Sequence, residues 1–344
     1  NWISLQLNLP EVPITDLALK DNDLIVATQG RSFWVLDDLD VLWQSLEDPV
    51  EPNSLRLFQP HPTVGFGGGN GKASDTRGTN HPAGVRTWFQ LPDDYDTAAL
   101  TFKDAEGDII RSFATEESGE DALEAESGLN PFQWDLRCEK ADDFEGLLMW
   151  WGTLRGPVVP PGIYSAELVV DEDTVATTFE ILLDPRAEGT AADRTAQFEF
   201  LKAVRDKVDE THDAIRHMRA TRAQISALLG RLEREEHSEL FDASDQLDSS
   251  MVAIEEVLYQ TKLKSNQDML NYPIKLNNKL AHVGSLSSMG IYRPTDQMEG
   301  VRQDISAKID VELTKWYALR DEQLPAFNAL IRSSEIEFIE APTD

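Results

Sequence analysis

The spacing of the apolar residues changes near residue 190, and this change constrains the fold more than any other feature of the chain. Before it, short apolar runs alternate with polar residues between Asn, Asp and Gly turns, which is typical of β-strands. After it, apolar residues recur at intervals of three and four, the period of an amphipathic helix. The sequence therefore predicts a β-rich front half and an α-helical back half for the 344 residues.

The predicted architecture is multidomain, with β-structure followed by α-structure. Residues 1–45 carry short strands at even spacing, as in one closing blade of a β-propeller, and a single blade cannot bury both of its faces alone. Residues 46–80 read as a Pro/Gly-rich linker with a short strand. Residues 81–186 hold about seven strands, which favours an immunoglobulin-like β-sandwich. Residues 187–344 are predicted to form an antiparallel helical bundle.

Four stripes of apolar residues at helical spacing predict where the helices of this bundle lie in the sequence. Pro325 is expected to bend the last helix because its ring cannot continue the hydrogen-bond ladder. The alternating residues 336–339 predict a terminal strand. The stripes are Leu201, Val204, Val208, Ile215, Met218, Ile225, Leu229 and Leu232; Leu247, Met251, Ile254 and Leu258; Leu276, Leu280 and Val283; and Val301, Ile305, Ile309, Trp316, Leu319 and Phe327.

Composition excludes several classes of function. The chain has 62 acidic and 31 basic residues, a formal net charge of −31, which argues against nucleic-acid binding because phosphates would be repelled. No run approaches the roughly 20 apolar residues that span a membrane. The single cysteine, Cys138, allows neither an internal disulfide nor a cysteine-based zinc cluster. The start at Asn1, without Met or signal peptide, leads us to expect a fragment of a longer chain.

The sequence contains no complete catalytic motif. Neighbouring carboxylates are interpreted as solvated turns, since adjacent residues of a strand point to opposite faces. The six histidines include no His-Glu-x-x-His pair, and the Gly-rich segment 65–72 departs from the phosphate-loop pattern. Catalytic residues are therefore unknown, and no metal site or cofactor is assigned. Asp-rich turns offer oxygen ligands for calcium, so calcium binding stays open, but no calcium site is assigned. The carboxylate groups are Asp37-Asp38, Asp93-Asp94, Asp142-Asp143 and Asp171-Glu172-Asp173.

Three residues are candidates for binding a glycan or a protein partner. Trp150 and Trp151 are adjacent, and an exposed indole can stack on a sugar. If the pair lies on a strand, one indole should point inward and the other outward. His81, between Asn80 and Pro82, lies beside the Gly-rich segment.

Four motifs resemble the C-terminal region of bacterial sortilin-like (BNR-repeat) β-propeller proteins, which are often labelled putative glycosyl hydrolases. The first is similar to the closing blade, the next two to an immunoglobulin-like module and the last to a helical tail. They are Ser32-Phe33-Trp34-Val35-Leu36-Asp37-Asp38, Asn130-Pro131-Phe132-Gln133-Trp134-Asp135, Pro160-Pro161-Gly162-Ile163-Tyr164 and Tyr272-Pro273-Ile274-Lys275-Leu276-Asn277-Asn278. The resemblance implies a propeller upstream of residue 1 and an exported protein, periplasmic or extracellular. The Asp box Ser-x-Asp-x-Gly-x-Thr-Trp is absent, so the hydrolase label transfers to no residue.

Two functions follow from these observations. The first is a non-catalytic accessory region that packs against the upstream propeller and assists protein or glycan binding. The alternative is part of a glycoside hydrolase whose catalytic residues lie mainly in the propeller, with carboxylates near Asp135 contributing to the site.

Overall fold

The computed structural model describes residues 4–49, 51, 53–65, 83–334 and 336. Eleven strands in these ranges precede a helical region, as the change of apolar period predicted. The strands are β1 (Ile14–Lys20), β2 (Asp23–Thr28), β3 (Phe33–Leu36), β4 (Arg56–Leu57), β5 (Thr63–Gly65), β6 (Val85–Leu91), β7 (Ala98–Lys103), β8 (Ile109–Ala114), β9 (Gly128–Trp134), β10 (Gly162–Val170) and β11 (Asp173–Leu183). A short helix that the sequence pattern did not predict, α1 (Asp40–Glu47), follows β3.

The strands form three sheets. β1, β2 and β3 make an antiparallel meander, as their spacing predicted. The other strands form a five-stranded sheet of order β5-β11-β10-β7-β8 and a three-stranded sheet of order β4-β6-β9. The segment 46–80, expected to be a linker with one short strand, supplies two strands in its described part, and β5 pairs in parallel with β11.

The five-stranded sheet and the β4-β6-β9 sheet pack face to face through a cluster of aromatic rings. Phe102 of β7 stacks on Trp134 of β9 with ring centroids 4.5 Å apart, and Phe113 of β8 lies 4.6 Å from Phe132 of β9. β6 alternates buried and half-buried residues along its whole length. This alternation is the signature of a strand with one face in a core.

Five α-helices follow in the described residues: α2 (Ala191–Leu229), α3 (Ser238–Leu258), α4 (Leu276–Ser287), α5 (Asp296–Ala318) and α6 (Leu324–Ser333). The side chain of Thr190 caps α2 by accepting from the Asp193 N–H, and the Asp193 carboxylate accepts in turn from the Thr190 N–H. Between α5 and α6 a π-helical turn, Leu319–Gln323, precedes Pro325 in the first turn of α6. The sequence predicted a bend of the last helix at this proline, and the structure has a change from α-helix to π-helix just before it.

The helical region encloses a core of its own, centred on Ile215, Met218, Leu280, Ile309 and Trp316. The chain as a whole divides into two compact units. One unit comprises residues 1–138 and 158–187, and the other comprises residues 139–157 and 188–344. The division after residue 187 falls next to the predicted start of the helical region, whereas 139–157, which the sequence pattern placed in the sandwich, groups with the helices.

Candidate functional site

Trp150 and Trp151 lie in residues 139–157, which we call the connecting segment because it joins β9 to β10 along the chain. The segment contains no helix or strand, so the condition under which one indole was expected to point inward is not met. Both side chains reach solvent, with Trp150 40% and Trp151 67% exposed, instead of one pointing inward. Free of the pleat of a strand, neighbouring side chains need not alternate between buried and exposed faces.

Asn278 of α4 fixes the backbone at Trp150 from both sides. The Trp150 N–H donates to Asn278 Oδ1 at 2.8 Å, and Asn278 Nδ2 donates to the Trp150 carbonyl, also at 2.8 Å. Asn278 is itself almost fully buried. The Asn278 amide therefore provides the hydrogen bonds that a neighbouring strand would provide in a sheet, and it satisfies both the backbone N–H and the backbone carbonyl of Trp150.

Trp151 has a backbone φ of +58°, in the left-handed region that bulky side chains rarely adopt. His282, one turn beyond Asn278 on α4, hydrogen-bonds the Trp151 carbonyl through Nδ1 at 3.2 Å. The next residue, Gly152, sits directly on α4, because a Cβ added there would lie 3.0 Å from the Ala281 Cβ. A strained backbone persists only where surrounding contacts over-determine it, and here α4 supplies those contacts.

The earlier part of the connecting segment is held by side chains of α2 and the end of α3. The Tyr259 hydroxyl donates to the Gly146 carbonyl at 2.9 Å and accepts from the Leu148 N–H at 3.1 Å. Arg219 donates to the Glu145 carbonyl at 2.8 Å. The connecting segment thus presents two exposed indoles on a backbone that is fixed at several points.

His212 of α2 holds the start of the same segment and is fully buried. Its Nδ1 lies 2.6 Å from the Asp142 carbonyl and must donate to it, so Nε2, 3.2 Å from Asn277 Nδ2, accepts from that amide. Phe144 packs edge-on against the imidazole. Burial lowers the pKa of His212 below its usual 6.5, which keeps the ring neutral as both hydrogen bonds require.

A second candidate surface is the β1-β2-β3 sheet, which exposes apolar side chains on both faces. Directly opposed residues of antiparallel strands point to the same face, so Leu17 shares a face with Val26 and Trp34, and Phe33 shares the other face with Ala27. Leu17 and Leu19 are exposed on the first face. Phe33, 72% exposed, and Val35 are exposed on the second.

Two of the carboxylates singled out in the sequence, Asp38 and Asp171, hold neighbouring parts of the chain together. Asp38 accepts from Arg86 Nε at 3.0 Å and from Trp88 Nε1 at 3.2 Å. Asp171 accepts from the backbone N–H groups of Asp96 and Thr97. These contacts explain the Asp-rich turns by local structure, and no group of three or more His, Cys, Asp or Glu arranged for a metal ion occurs among the described residues.

Asp135 and His81 are the other residues to which the sequence pointed. The Asp135 carboxylate, named in the hydrolase alternative, is exposed and lies 3.5 Å from Arg137 Nε. His81 and most of the Gly-rich segment lie outside the residues that the structure describes. None of the helices in the described ranges combines the length and the apolar character needed to cross a membrane.

No protein-family model matches this chain, and no curated protein matches it significantly.

Proposed function

We propose that this chain is a non-catalytic accessory region of an exported β-propeller protein, in which β1-β2-β3 belongs to the closing blade. The region packs against the propeller and assists it in binding protein or glycan. The observation that carries the proposal is the apolar exposure on both faces of the β1-β2-β3 sheet. A sheet at the edge of a sandwich needs cover on one face, whereas a propeller blade is covered on both faces by its neighbours.

The finer architecture forms part of the same proposal. The face-to-face sheets support an immunoglobulin-like sandwich, and so does Tyr164 near the start of β10. Its hydroxyl donates to the Pro160 carbonyl at 2.8 Å, a bond of the kind made by the tyrosine corner of such domains. The successive helices α2 to α5, with α2 packed on α4 and α5, support an antiparallel bundle.

The burial of exposed apolar groups gives the proposal a quantitative basis. Fully burying one Leu or Phe side chain contributes on the order of 1.5–3 kcal/mol. Leu17, Leu19, Phe33 and Val35 together therefore provide enough apolar surface for a stable contact, provided that a partner covers both faces.

The test is association of this chain with the propeller encoded in the same gene, measured by calorimetry and analytical ultracentrifugation. We expect saturable one-to-one binding that Leu17→Asp and Phe33→Asp each weaken, because the two residues lie on opposite faces. Leu129→Asp is the matched control, since Leu129 is a similarly exposed leucine on β9. Absence of binding, or equal loss in the control, would contradict the proposal.

A further inference from the structure

A groove lies between α1 and the outer face of the β10-β11 pair. It has a volume of about 520 Å³, within the usual range for ligand pockets. α1 forms one wall, residues 59–62 form the floor, and Ile163 of β10 with Glu180 of β11 forms the other wall. Ile163 and Glu180 are directly opposed in the sheet and share this outer face. No residue of β1, β2 or β3 lines the groove, so a partner that covers those strands can leave it open.

Hydrogen bonds fix the floor of the groove to both walls. Gln44 of α1 and Gln59 bond reciprocally, with Gln44 Nε2 donating to the Gln59 carbonyl and the Gln59 N–H donating to Gln44 Oε1, each at 2.9 Å. Gln59 Nε2 then donates to the Thr178 carbonyl of β11 at 3.0 Å. Because these hydrogen bonds already hold the floor and walls in place, the protein loses little conformational entropy when a ligand binds.

The groove is acidic, and His61 is the one basic side chain among the described residues that line it. Asp40, Glu47 and Glu180 line it, and no Lys or Arg is among the described residues that do so. The Oδ2 atom of Asp40 lies 3.0 Å from Nδ1 of His61, and the two side chains form a pair. The carboxylates of Glu47 and Glu180 take part in no ion pair or side-chain hydrogen bond with other parts of the chain that the structure describes. Both are therefore available to a ligand.

Two exposed apolar side chains line the same groove as these carboxylates. The indole of Trp43 is 49% exposed and the side chain of Ile163 is 53% exposed. Tryptophan is the best aromatic partner for a cation, and an aliphatic surface accommodates the methylene stem of a long basic side chain. Carboxylates on both walls and an indole in the same groove complement a Lys or Arg side chain in chemistry and in charge.

We propose that this groove binds a Lys or Arg side chain of a basic peptide segment. The charged head lies between Glu47 and Glu180 over the Trp43 ring, and the stem packs against Ile163. The net charge of −31 raises the local concentration of cationic ligands and disfavours anionic ones. Neither the site nor its ligand depends on docking of the propeller.

The test is calorimetric titration of the whole chain with a Gly/Ser peptide that carries two arginines, compared with the same peptide carrying two neutral citrullines. We expect saturable binding of the arginine peptide, weakened by added salt, and at least tenfold weaker binding of the citrulline peptide. Glu47→Gln combined with Glu180→Gln should weaken binding about tenfold, and Trp43→Ala about fivefold. Far-UV circular dichroism and thermal unfolding establish that each variant is folded.

Two control variants locate the effect. Glu106→Gln removes an exposed charge from the turn between β7 and β8, and Tyr292→Ala removes an exposed aromatic ring from the loop between α4 and α5; neither should change the affinity. Equal binding of both peptides, or equal losses in the controls, would overturn the proposal. Binding of a neutral oligosaccharide that depends on Trp43, without binding of the arginine peptide, would also overturn it and assign the groove to sugars.

Discussion

At the scale of single residues, some buried polar side chains of the helical region bond within or between helices, and others hold the backbone of the connecting segment. Thr211 and Arg222 interrupt the apolar stripe of α2 in the sequence. In the structure, Thr211 bonds to the Lys207 carbonyl at 2.7 Å, and Arg222 pairs with Asp248 at 2.6 Å. His212, which the sequence does not distinguish from any other helical histidine, binds the carbonyl of Asp142. Its role depends on a residue 70 positions away, which no local pattern reveals.

The buried neutral state of His212 predicts how stability depends on pH. Because burial lowers the pKa of His212 in the folded chain from the usual 6.5, the unfolded chain takes up the proton first as the pH falls. The contribution is complete above pH 6.5 and is lost progressively below it, so the free energy of unfolding should decrease from pH 6.5 downward. Asp142, Asp143, Asp209 and Arg216 face the ring and affect the same pKa.

The measurement is urea unfolding between about pH 7.5 and 5 for the natural chain and for His212→Asn. Asparagine keeps a donor near the position of Nδ1 but does not titrate. We expect the variant to be less stable at neutral pH, since it loses packing against Phe144, and to show a smaller decrease in stability as the pH falls. An unchanged pH dependence in the variant would refute the role given to His212.

At the scale of elements, the connecting segment has few backbone bonds of its own and depends on side chains of α2, α3 and α4. Asn278→Ala removes the partner of both backbone polar groups of Trp150 and should destabilise the helical unit by about 1–3 kcal/mol. Amide exchange at Trp150 should become faster, and the emission of the exposed tryptophans should change. Asn271→Ala is the control, because Asn271 is an exposed asparagine in the same unit. Unchanged exchange at Trp150 in Asn278→Ala would show that the segment is held by other contacts.

Elements with a long, regular apolar pattern were predictable, whereas α1 and β5 were not. Val204, Met251, Leu280 and Ile309, one from each predicted stripe, lie on α2, α3, α4 and α5, because helical periodicity is a local property of many residues. β4 lies where the sequence predicted a short strand, but α1 has only eight residues and builds no recognisable period. β5 forms through pairing with β11, which is far away in the sequence.

At the scale of the whole molecule, the order of sheets before helices followed from the sequence, but the grouping of residues did not. Residues 139–157 join the helical unit through contacts such as Trp150 with Asn278, which are 128 positions apart. The exposure of Trp150 and Trp151 likewise depends on that grouping. By contrast, the apolar exposure on both faces of β1-β2-β3 could be expected from the short length of this segment, because three strands alone cannot bury two faces.

The proposed function depends above all on β1-β2-β3 being one blade of a larger propeller, and hydrogen exchange can test this. Amide exchange, followed by mass spectrometry, is compared for this chain alone and in the presence of the propeller that we propose as its partner. We predict that peptides covering residues 14–36 become strongly protected on binding, while those covering α2 do not change. Binding that protects other regions and leaves residues 14–36 unchanged would contradict the assignment of these strands to a blade.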